Sequence, residues 1–369
     1  PGPAPALAGA VRLRDRRGRE LGWADHNPHS QIRLRLLSRD PGAKLDRPFF
    51  RQRLQAALAY RRIVVRDSSA FRLIASEGDG LPGLIVDVYG DRPGGALAFQ
   101  TLTAAMAARQ DALLEDLRSL LQPAVIVERN EAKIRTREGL SLNHELLQGA
   151  SALVETEING LKLGFDLLAG QKTGGFLDQR ENWATAAAWA ARFGAKTALD
   201  VFTYQGGFAL HLGKAVPGLQ LEGVDGSRVA LEGAEANFRR NQLPEQNWIE
   251  ANAFDLLRDY DRRGRKFDVV VLDPPAFAKS RSTLESALAG YKEINLRALK
   301  LLNRGGLLVT CSCSHHMDEE TFLSMLRAAA ADAQRELTML QRRGQALDHP
   351  VLLAVPETRY LKCVLARVA

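Results

Sequence analysis

The chain has 369 residues, a formal net charge of +7 and a pI of about 9.5. This length allows about two or three domains, and a hydrophobic content of 46% is enough for each to bury a core. No run approaches the roughly 18 apolar residues that a membrane-spanning helix requires. Three cysteines, an odd number in a long chain, argue against a disulfide framework and indicate a reducing, cytoplasmic compartment. The positive charge is typical of proteins with a polyanionic partner.

The N-terminal region is predicted to be short strands rich in arginine. A hairpin is expected with its turn at Asp15–Gly18, and a third strand is expected around Ile32–Leu36. The arginines outnumber the local acids and can pair with phosphate bidentately, which favours a phosphate-binding surface over an ordinary solvated one. The candidate phosphate contacts are Arg12, Arg14, Arg33 and Arg35.

Residues 41–150 are predicted to form an α+β domain. Asp46 and Pro48 indicate a helix start, and apolar residues follow at helical spacing up to Arg61. A small antiparallel sheet is then expected from three strands, Phe71–Ile74, Leu84–Val88 and Leu97–Leu102. A helix over Ala104–Leu121 and another strand at Ala124–Val127 are expected to follow. No residue there indicates catalysis, so the expected role is a scaffold or an RNA clamp.

A strand–loop–helix–strand pattern over Lys196–Ser227 predicts a βαβ unit. Its loop carries Gly206 and Gly207, which let a backbone pass close to a ligand. Asp225 ends the second strand, where nucleotide sites hold ribose hydroxyls. Asp200, in the first strand, would repel a pyrophosphate but suits a cationic nucleoside such as S-adenosylmethionine. The alternative is a βαβ unit with an empty glycine turn.

Two further strands end in residues whose side chains can take part in a reaction. The buried strand Phe267–Leu272 leads into Asp273, which two prolines follow, and Leu307–Thr310 leads into Cys311 and Cys313. Ligands bind at this carboxyl edge of an open α/β sheet. A metal site is not expected, because no second cysteine pair is present. More strands are expected at Leu337–Leu340, Val351–Val355 and Leu361–Val368, with a turn at Asn303–Gly306.

A thiolate beside a methyl donor indicates covalent catalysis on a pyrimidine. Attack by cysteine at carbon 6 makes carbon 5 nucleophilic, so that carbon 5 can accept a methyl group. Asp273 could hydrogen-bond the pyrimidine edge. Cys311 and Cys313 would point to the same side of an extended segment, so periodicity leaves the choice of nucleophile open. Either cysteine could instead be a small buried apolar residue.

Several motifs, in one order from about Val11 to the end, resemble a known family. They include NPHSQIRLRLLS, KTGGFLDQRENW, DVFTYQGGFA, FDVVVLDPPAF and CSCSHHM. The chain is similar to the bacterial 23S rRNA cytosine-5 methyltransferases of the ribosomal large subunit methyltransferase I family. The resemblance implies an α/β fold: a class I, Rossmann-like methyltransferase domain (residues 151–369) with a mostly parallel doubly wound sheet, an α+β middle domain (41–150) and a β-rich PUA-like RNA-binding domain (1–40), expected to be incomplete at its start.

The resemblance also implies roles for single residues. Cys313 matches the nucleophile and Asp273 a second catalytic residue, whereas Cys311 falls where the family needs no cysteine. The target-base loop matches Pro274, Pro275 and Phe277. Binding of S-adenosylmethionine, the implied cofactor, is expected from Phe176, Asp178, Gln179, Arg180, Asp200, Phe202, Tyr204, Gly206, Gly207, Asp225, Asn252, Ala253 and Asp273. Asn252 departs from the family, which has an aspartate there, but its oxygen can still accept a hydrogen bond.

The expected partner is 23S rRNA or a large-subunit assembly intermediate. The chain could also form a homodimer. Two alternatives remain open. One is a related rRNA methyltransferase with another target, such as guanine N7, which needs no cysteine. The other is a non-catalytic RNA-binding protein with a degenerate methyltransferase domain.

Overall fold

The computed structural model describes residues 8–90, 93–277 and 284–369. The chain divides into two compact units. The first takes in the residues up to Asp178 together with Leu347–Thr358. The second takes in Gln179–Ala346 and Arg359–Ala369. The first unit is therefore built from two separate stretches of sequence.

The N-terminal strands form a three-stranded antiparallel sheet in the order β1-β2-β3. Its strands are β1 (Gly9–Arg14), β2 (Glu20–His26) and β3 (Leu34–Ser38). The predicted hairpin is confirmed. Its turn closes because the Asp15 carboxylate accepts hydrogen bonds from the backbone N–H groups of Arg17 and Arg19, both at 2.9 Å.

Helix α1 (Arg47–Val64) begins where the sequence predicts. The Asp46 side chain accepts a hydrogen bond from the Phe49 N–H, which caps the helix. One stripe of the helix is buried, and it ends in Arg61, whose guanidinium pairs with Asp79. The apolar members of this stripe are Phe50, Leu54, Ala57 and Leu58.

The middle sheet has the order β4-β5-β6-β7-β8. Its strands are β4 (Ala70–Ala75), β5 (Leu84–Tyr89), β6 (Ala96–Thr101), β7 (Val125–Asn130) and β8 (Asn143–Gln148). The antiparallel sheet predicted for the first three strands is confirmed, and β7 joins it parallel to β6. Helices α2 (Ala104–Ala107) and α3 (Gln110–Leu121) carry the chain back between them, as a parallel connection requires. The single helix predicted there is broken at Ala108–Arg109.

A two-stranded hairpin follows, formed by β9 (Leu153–Ile158) and β10 (Leu161–Asp166). Its turn residues, Asn159 and Gly160, have φ angles of 53° and 73°. Positive φ at both positions is typical of a type I′ turn, which Asn-Gly favours. Short 3₁₀ turns elsewhere lie at Ser76–Asp79, Lys133–Glu138, Leu177–Gln179 and Pro356–Thr358.

In the described part of the second unit, seven strands form one sheet in the order β13-β12-β11-β14-β15-β17-β16. The strands are β11 (Thr197–Val201), β12 (Gln220–Asp225), β13 (Asn247–Glu250), β14 (Phe267–Leu272), β15 (Leu302–Ser312), β16 (Leu337–Arg343) and β17 (Lys362–Val368). The helices are α4 (Arg180–Arg192), α5 (Gly207–Ala215), α6 (Arg228–Arg240), α7 (Ala253–Arg262), α8 (Leu284–Leu301) and α9 (Glu319–Asp332). Only β17 runs antiparallel to its neighbours, so the mostly parallel, doubly wound sheet is confirmed.

Two expectations for the second half are wrong. Asn303–Gly306 does not separate α8 from the next strand, because β15 starts at Leu302 and the extra residues are absorbed as an irregularity in its pairing with β14. Val351–Val355 forms an isolated bridge between Leu352 and Val355 rather than a strand. Its apolar side chains face solvent, with Leu353 99% exposed.

The core of the second unit lies on both faces of its central strands. Val269–Leu272 of β14 is fully buried, as expected for a strand covered by helices on each side. Phe267–Leu272 therefore reads as a continuous apolar run rather than an alternating one. Among the described helices, none combines the length and the apolar character needed to cross a membrane.

Candidate active site

The loop after β11 has an unusual backbone. Phe202 and Tyr204, which are not glycines, have φ angles of 64° and 50°, and Gly206 has a φ of 80°. Left-handed conformations cost free energy in non-glycine residues and cluster at ligand sites. The loop is held by hydrogen bonds from Thr203 N–H to the Val224 carbonyl and from Gly206 N–H to the Thr203 carbonyl, both 2.9 Å. The sequence therefore builds a strained loop at the carboxyl end of β11.

Asp200 is buried below this loop. Its Oδ2 accepts hydrogen bonds from Thr203 Oγ1 at 2.6 Å and from the Ala209 N–H at 3.1 Å. Its Oδ1 is buried and has no hydrogen-bond partner among the described residues. Burial raises the pKa of Asp200 to about 7, against the two hydrogen bonds, and the charges of Asp273 and Asp225 add to the rise. A buried carboxylate oxygen that lacks a partner fits a cationic ligand.

Asp225 is the last residue of β12 and supports the same loop. Its Oδ2 accepts a hydrogen bond from Tyr204 N–H at 2.9 Å, and its Oδ1 accepts one from Ser227 N–H at 3.0 Å. Each carboxylate oxygen can accept a second hydrogen bond, and the side chain is half-buried. Asp225 can therefore hold the loop and still accept from a pair of hydroxyl groups.

The two loop glycines serve different purposes. Gly206 needs its left-handed φ, where a side chain would be strained. At Gly207, a Cβ would lie 2.5 Å from the indole ring of Trp183, which packs against the start of α5. Close helix packing therefore accounts for Gly207, and the sequence analysis had assigned it only to ligand approach.

Asn252 caps α7. Its Oδ1 accepts hydrogen bonds from the N–H groups of Phe254 at 2.9 Å and Asp255 at 3.4 Å. Ala253 is the first residue of the helix and is buried. The side-chain oxygen of Asn252, which was expected to accept a hydrogen bond from the cofactor, therefore also accepts from the N–H groups at the helix N-terminus.

Asp273 lies directly after β14. Its N–H donates to the Val201 carbonyl at 3.3 Å, which ties it to the end of β11. Its Oδ1 accepts a hydrogen bond from Gln179 Nε2 at 2.9 Å. Pro274 is buried and Pro275 is exposed, so the loop leaves the sheet immediately. Asp273 and Asp200 therefore meet at the carboxyl edge of neighbouring strands.

Phe277 lies at the centre of an aromatic cluster at this edge. Its ring centroid is 4.6 Å from that of Tyr291, 5.8 Å from that of Phe254 and 6.3 Å from that of Phe202. The cluster thus joins the loop after β11, the start of α7 and the middle of α8. It gives the edge an apolar wall beside its carboxylates.

The three cysteines differ in burial. Cys311 and Cys363 are fully buried and face each other across the β15–β17 pair, whereas Cys313 is partly exposed just beyond β15. Burial raises the pKa of Cys311 well above its usual value, with Cys363 adding to the rise. A thiol that resists ionisation is a poor nucleophile, so Cys311 is unsuited to the role.

The segments on either side of Cys313 are fixed by Tyr291. The Tyr291 hydroxyl lies 3.0 Å from Ser314 Oγ, and Ser312 Oγ donates to that hydroxyl at 3.0 Å. Lys362 donates to the carbonyl of Ser314 at 2.7 Å. No role was predicted for Tyr291 or Lys362, because the neighbouring residues in the sequence do not show which groups their side chains contact.

The loop before α4 is divided between the two units. Phe176 and Asp178 belong to the first unit, where Lys172 Nζ contacts Asp178 Oδ2 at 2.7 Å and lies 4.4 Å from the Phe176 ring centroid. Gln179 and Arg180 belong to the second unit and are buried. Asp178 does not cap α4, because it lies within the 3₁₀ turn Leu177–Gln179 and Gln179 occupies the N-cap position. Lys172 was missed by sequence analysis.

The four N-terminal arginines occupy different surroundings. Arg12 and Arg14 both contact the Glu20 carboxylate, at 3.2 and 2.8 Å. Arg33 is exposed. Arg35 is largely buried and contacts Glu138 at 3.1 Å. The four arginines therefore do not form one uniform basic face.

Comparison with known proteins places these features in context. A family model described as S-adenosylmethionine-dependent methyltransferase matches residues 140–355. Ribosomal RNA large subunit methyltransferase I of Photobacterium profundum is 40% identical over 98% of this chain and 90% of its own length. The Shewanella denitrificans protein of that name is 40% identical over 100% and 92%. A Streptococcus mutans structure described as a SAM-dependent methyltransferase has a similar fold, with a TM-score of 0.83 and 21% identity over 99% of this chain and 93% of its own.

Proposed function

The chain belongs to the ribosomal RNA large subunit methyltransferase I family of S-adenosylmethionine-dependent methyltransferases, and we propose that it methylates carbon 5 of a cytosine in 23S rRNA. The observation that supports carbon 5 as the target atom is the difference in burial among the three cysteine thiols. Cys313 is partly exposed at the carboxyl edge of the sheet, while Cys311 and Cys363 are buried. A methyltransferase acting on a nucleophilic nitrogen would have no use for such a thiol.

The proposed cofactor site lies at the ends of β11 and β12. S-adenosylmethionine supplies a methyl group on a positively charged sulfur. Asp200 offers a buried carboxylate oxygen to the cationic part, and Asp225 offers oxygens to the ribose hydroxyls. The other proposed contacts are Phe176, Asp178, Gln179, Arg180, Phe202, Tyr204, Gly207, Asn252, Ala253 and Asp273.

The proposed chemistry at the base starts with Cys313. Its sulfur forms a bond to carbon 6 of cytosine, and the electron pair of the 5,6 double bond moves to make carbon 5 nucleophilic. Once carbon 5 is methylated, loss of its proton restores the double bond and expels the cysteine. Asp273, oriented by Gln179, hydrogen-bonds the pyrimidine edge, and Pro274, Pro275 and Phe277 form the loop against which the base lies.

We assign the RNA-binding role to the N-terminal region. Residues 1–40 form a PUA-like domain, residues 41–150 a middle domain and residues 151–369 the catalytic domain in this proposal. Exposed Arg33, together with Arg12 and Arg14, provides phosphate contacts. The substrate is 23S rRNA or an intermediate of large-subunit assembly.

The test uses 23S rRNA in which cytidine is replaced by 5-fluorocytidine. Fluorine cannot leave carbon 5 as a proton does, so the protein should remain covalently attached to the RNA. The adduct should form with the native chain and with Cys311→Ala, the matched control, and should be absent with Cys313→Ala. Adduct formation by Cys313→Ala would exclude the assigned nucleophile. Full methylation activity of that variant would instead indicate a target atom that needs no cysteine, such as guanine N7.

A further inference from the structure

Lys362 is a buried lysine beside the candidate nucleophile. It is the first residue of β17 and is 5% exposed. Its ammonium group donates to the Ser314 carbonyl at 2.7 Å and to the Tyr360 carbonyl at 2.8 Å. These bonds use two of its three N–H groups. Burying an ammonium is costly unless an anion compensates, and the two carbonyls are neutral. Its position therefore calls for a functional explanation.

The surroundings of Lys362 bring its charge to Cys313. The bond to the Ser314 carbonyl holds the ammonium against the residue that directly follows Cys313. The two groups interact electrostatically: Cys313 is the first of the charges that oppose the burial-driven fall in the pKa of Lys362 to about 8. Cys313 also contributes to the raised pKa of Tyr291, which burial dominates.

The neighbouring charged groups have other partners. Asp318 accepts a hydrogen bond from Thr321 N–H at 2.7 Å and caps α9. Glu319 pairs with Arg359 and lies 3.4 Å from Arg342. Asp318, Glu319 and Arg359 all influence Lys362, but less than Cys313 does. Among the described charged groups, Cys313 is therefore the one whose charge favours protonated Lys362 most.

We propose that Lys362 is a positioning residue that acts through Cys313, with its third N–H stabilising the thiolate from which the attack on carbon 6 starts. This rests on the proposed function and deepens it. The thiol proton leaves to solvent, and Lys362 stays protonated throughout. When sulfur bonds to carbon 6 its negative charge disappears, and when the cysteine is expelled the thiolate forms again beside the ammonium. Lys362 therefore assists both formation and release of the adduct.

The experiment measures alkylation of the free full-length chain by iodoacetamide, with neither RNA nor cofactor present. Cys311 and Cys363 are buried, so the rapid reaction reports Cys313, and mass spectrometry confirms the site. Lys362→Met should move the pH midpoint of the reaction upward by about one unit and slow it about tenfold at pH 7. Lys362→Arg should retain most of the native rate. Lys292→Met, which removes an exposed charge paired with Asp332, should change neither. An unchanged profile for a folded Lys362→Met would overturn the proposal.

A reciprocal measurement covers the case in which Lys362→Met does not fold. Interacting sites shift each other's titration equally, so removing the thiol must lower the titration midpoint of Lys362. NMR of side-chain-labelled lysine in Cys313→Ser should show this fall, whereas an unchanged midpoint overturns the coupling. Neither measurement depends on methylation. If the native chain formed no adduct with 5-fluorocytidine RNA while Lys362 and Cys313 still shifted each other's titration, the proposed reaction would be contradicted. The lysine–cysteine interaction would still stand.

Discussion

The side-chain amide of Gln179 donates a 2.9 Å hydrogen bond to Oδ1 of Asp273. The carbonyl oxygen of the same amide accepts a 2.6 Å hydrogen bond from Asn182 in the first turn of α4. Gln179 is buried, so its orientation is fixed from both ends. The start of α4 thereby determines how the carboxylate at the end of β14 is presented.

Replacing Gln179 by Leu should lower methylation more than it lowers stability. Loss of the donor lets the Asp273 carboxylate rotate, and misplacement of a substrate-contacting group costs about ten- to a hundredfold in kcat. Leaving Asn182 without one acceptor should lower the free energy of unfolding by about 1–3 kcal/mol. Gln220→Leu, at an exposed position on β12, is the control. Equal kcat values for Gln179→Leu and Gln220→Leu would contradict the positioning role.

Asp200 should make stability fall as pH rises. Its pKa is about 7 in the folded chain, above its ordinary value of 3.8, so the folded state binds the proton more tightly than the unfolded state. This contribution is complete below about pH 4 and is lost as pH rises through 7, up to about 4 kcal/mol. Chemical denaturation between pH 5 and 8 should show the loss in the native chain and a smaller one in Asp200→Asn.

Binding of the cofactor should have the opposite dependence on pH. The ionised form of Asp200 favours a cationic ligand, so the affinity for S-adenosylmethionine should rise about tenfold from pH 6 to pH 7.5. Calorimetry should also detect release of a proton on binding below pH 7. Asp200→Asn should bind more weakly and without this pH dependence. If the variant kept the native slope, another group would be responsible.

Asn252 offers a test at the start of α7. Asn252→Ala removes the cap and should cost about 1 kcal/mol of stability. Asn252→Asp keeps an acceptor for Phe254 N–H and adds a negative charge at a helix N-terminus, which is favourable. It should also bind S-adenosylmethionine about threefold more tightly, since a carboxylate is the stronger acceptor. Weaker binding by Asn252→Asp would show that this side chain does not accept a hydrogen bond from the cofactor.

Arg33 and Arg35 should behave differently although they lie two residues apart. Arg33→Ala should weaken binding to an rRNA fragment, reduce the salt slope by about one and leave stability within about 0.5 kcal/mol. Arg35→Ala should instead lower the free energy of unfolding by about 3 kcal/mol, because Glu138 would remain buried without its charged partner. Fluorescence anisotropy and denaturation distinguish the two. Equal effects on RNA binding at constant stability would contradict the division.

Much of the architecture follows from periodicity. The residues predicted at helical spacing in α1 are the ones that the structure buries, and the apolar run at β14 is the central strand. Periodicity does not identify distant partners. Arg61 is in the buried stripe because its guanidinium reaches the Asp348 carbonyl, 287 residues away. An apolar run such as Val351–Val355 likewise predicts a strand only when another strand is there to pair with it.

In the candidate site, too, some residues can be predicted from the sequence and others cannot. Asp200, Asp225 and Asp273 are predictable because each follows or ends a strand at one edge of a parallel sheet. Lys172 and Lys362 are not, because a lysine gains a role only from what surrounds its ammonium group. Gly207 was assigned to ligand approach, and the contact that explains it involves Trp183, which lies 24 positions earlier and in no glycine motif.

The segment Leu347–Thr358 belongs to the first unit but is synthesised long after the rest of that unit. The Asp348 carboxylate accepts a hydrogen bond from Arg72 N–H at 2.8 Å, and its carbonyl accepts one from Arg61. A ribosome that has made only the first 178 residues has not yet made these acceptors. The N-terminal part of the chain should therefore emerge before these two hydrogen bonds can form. It can reach its final stability only after nearly the whole polypeptide has been translated.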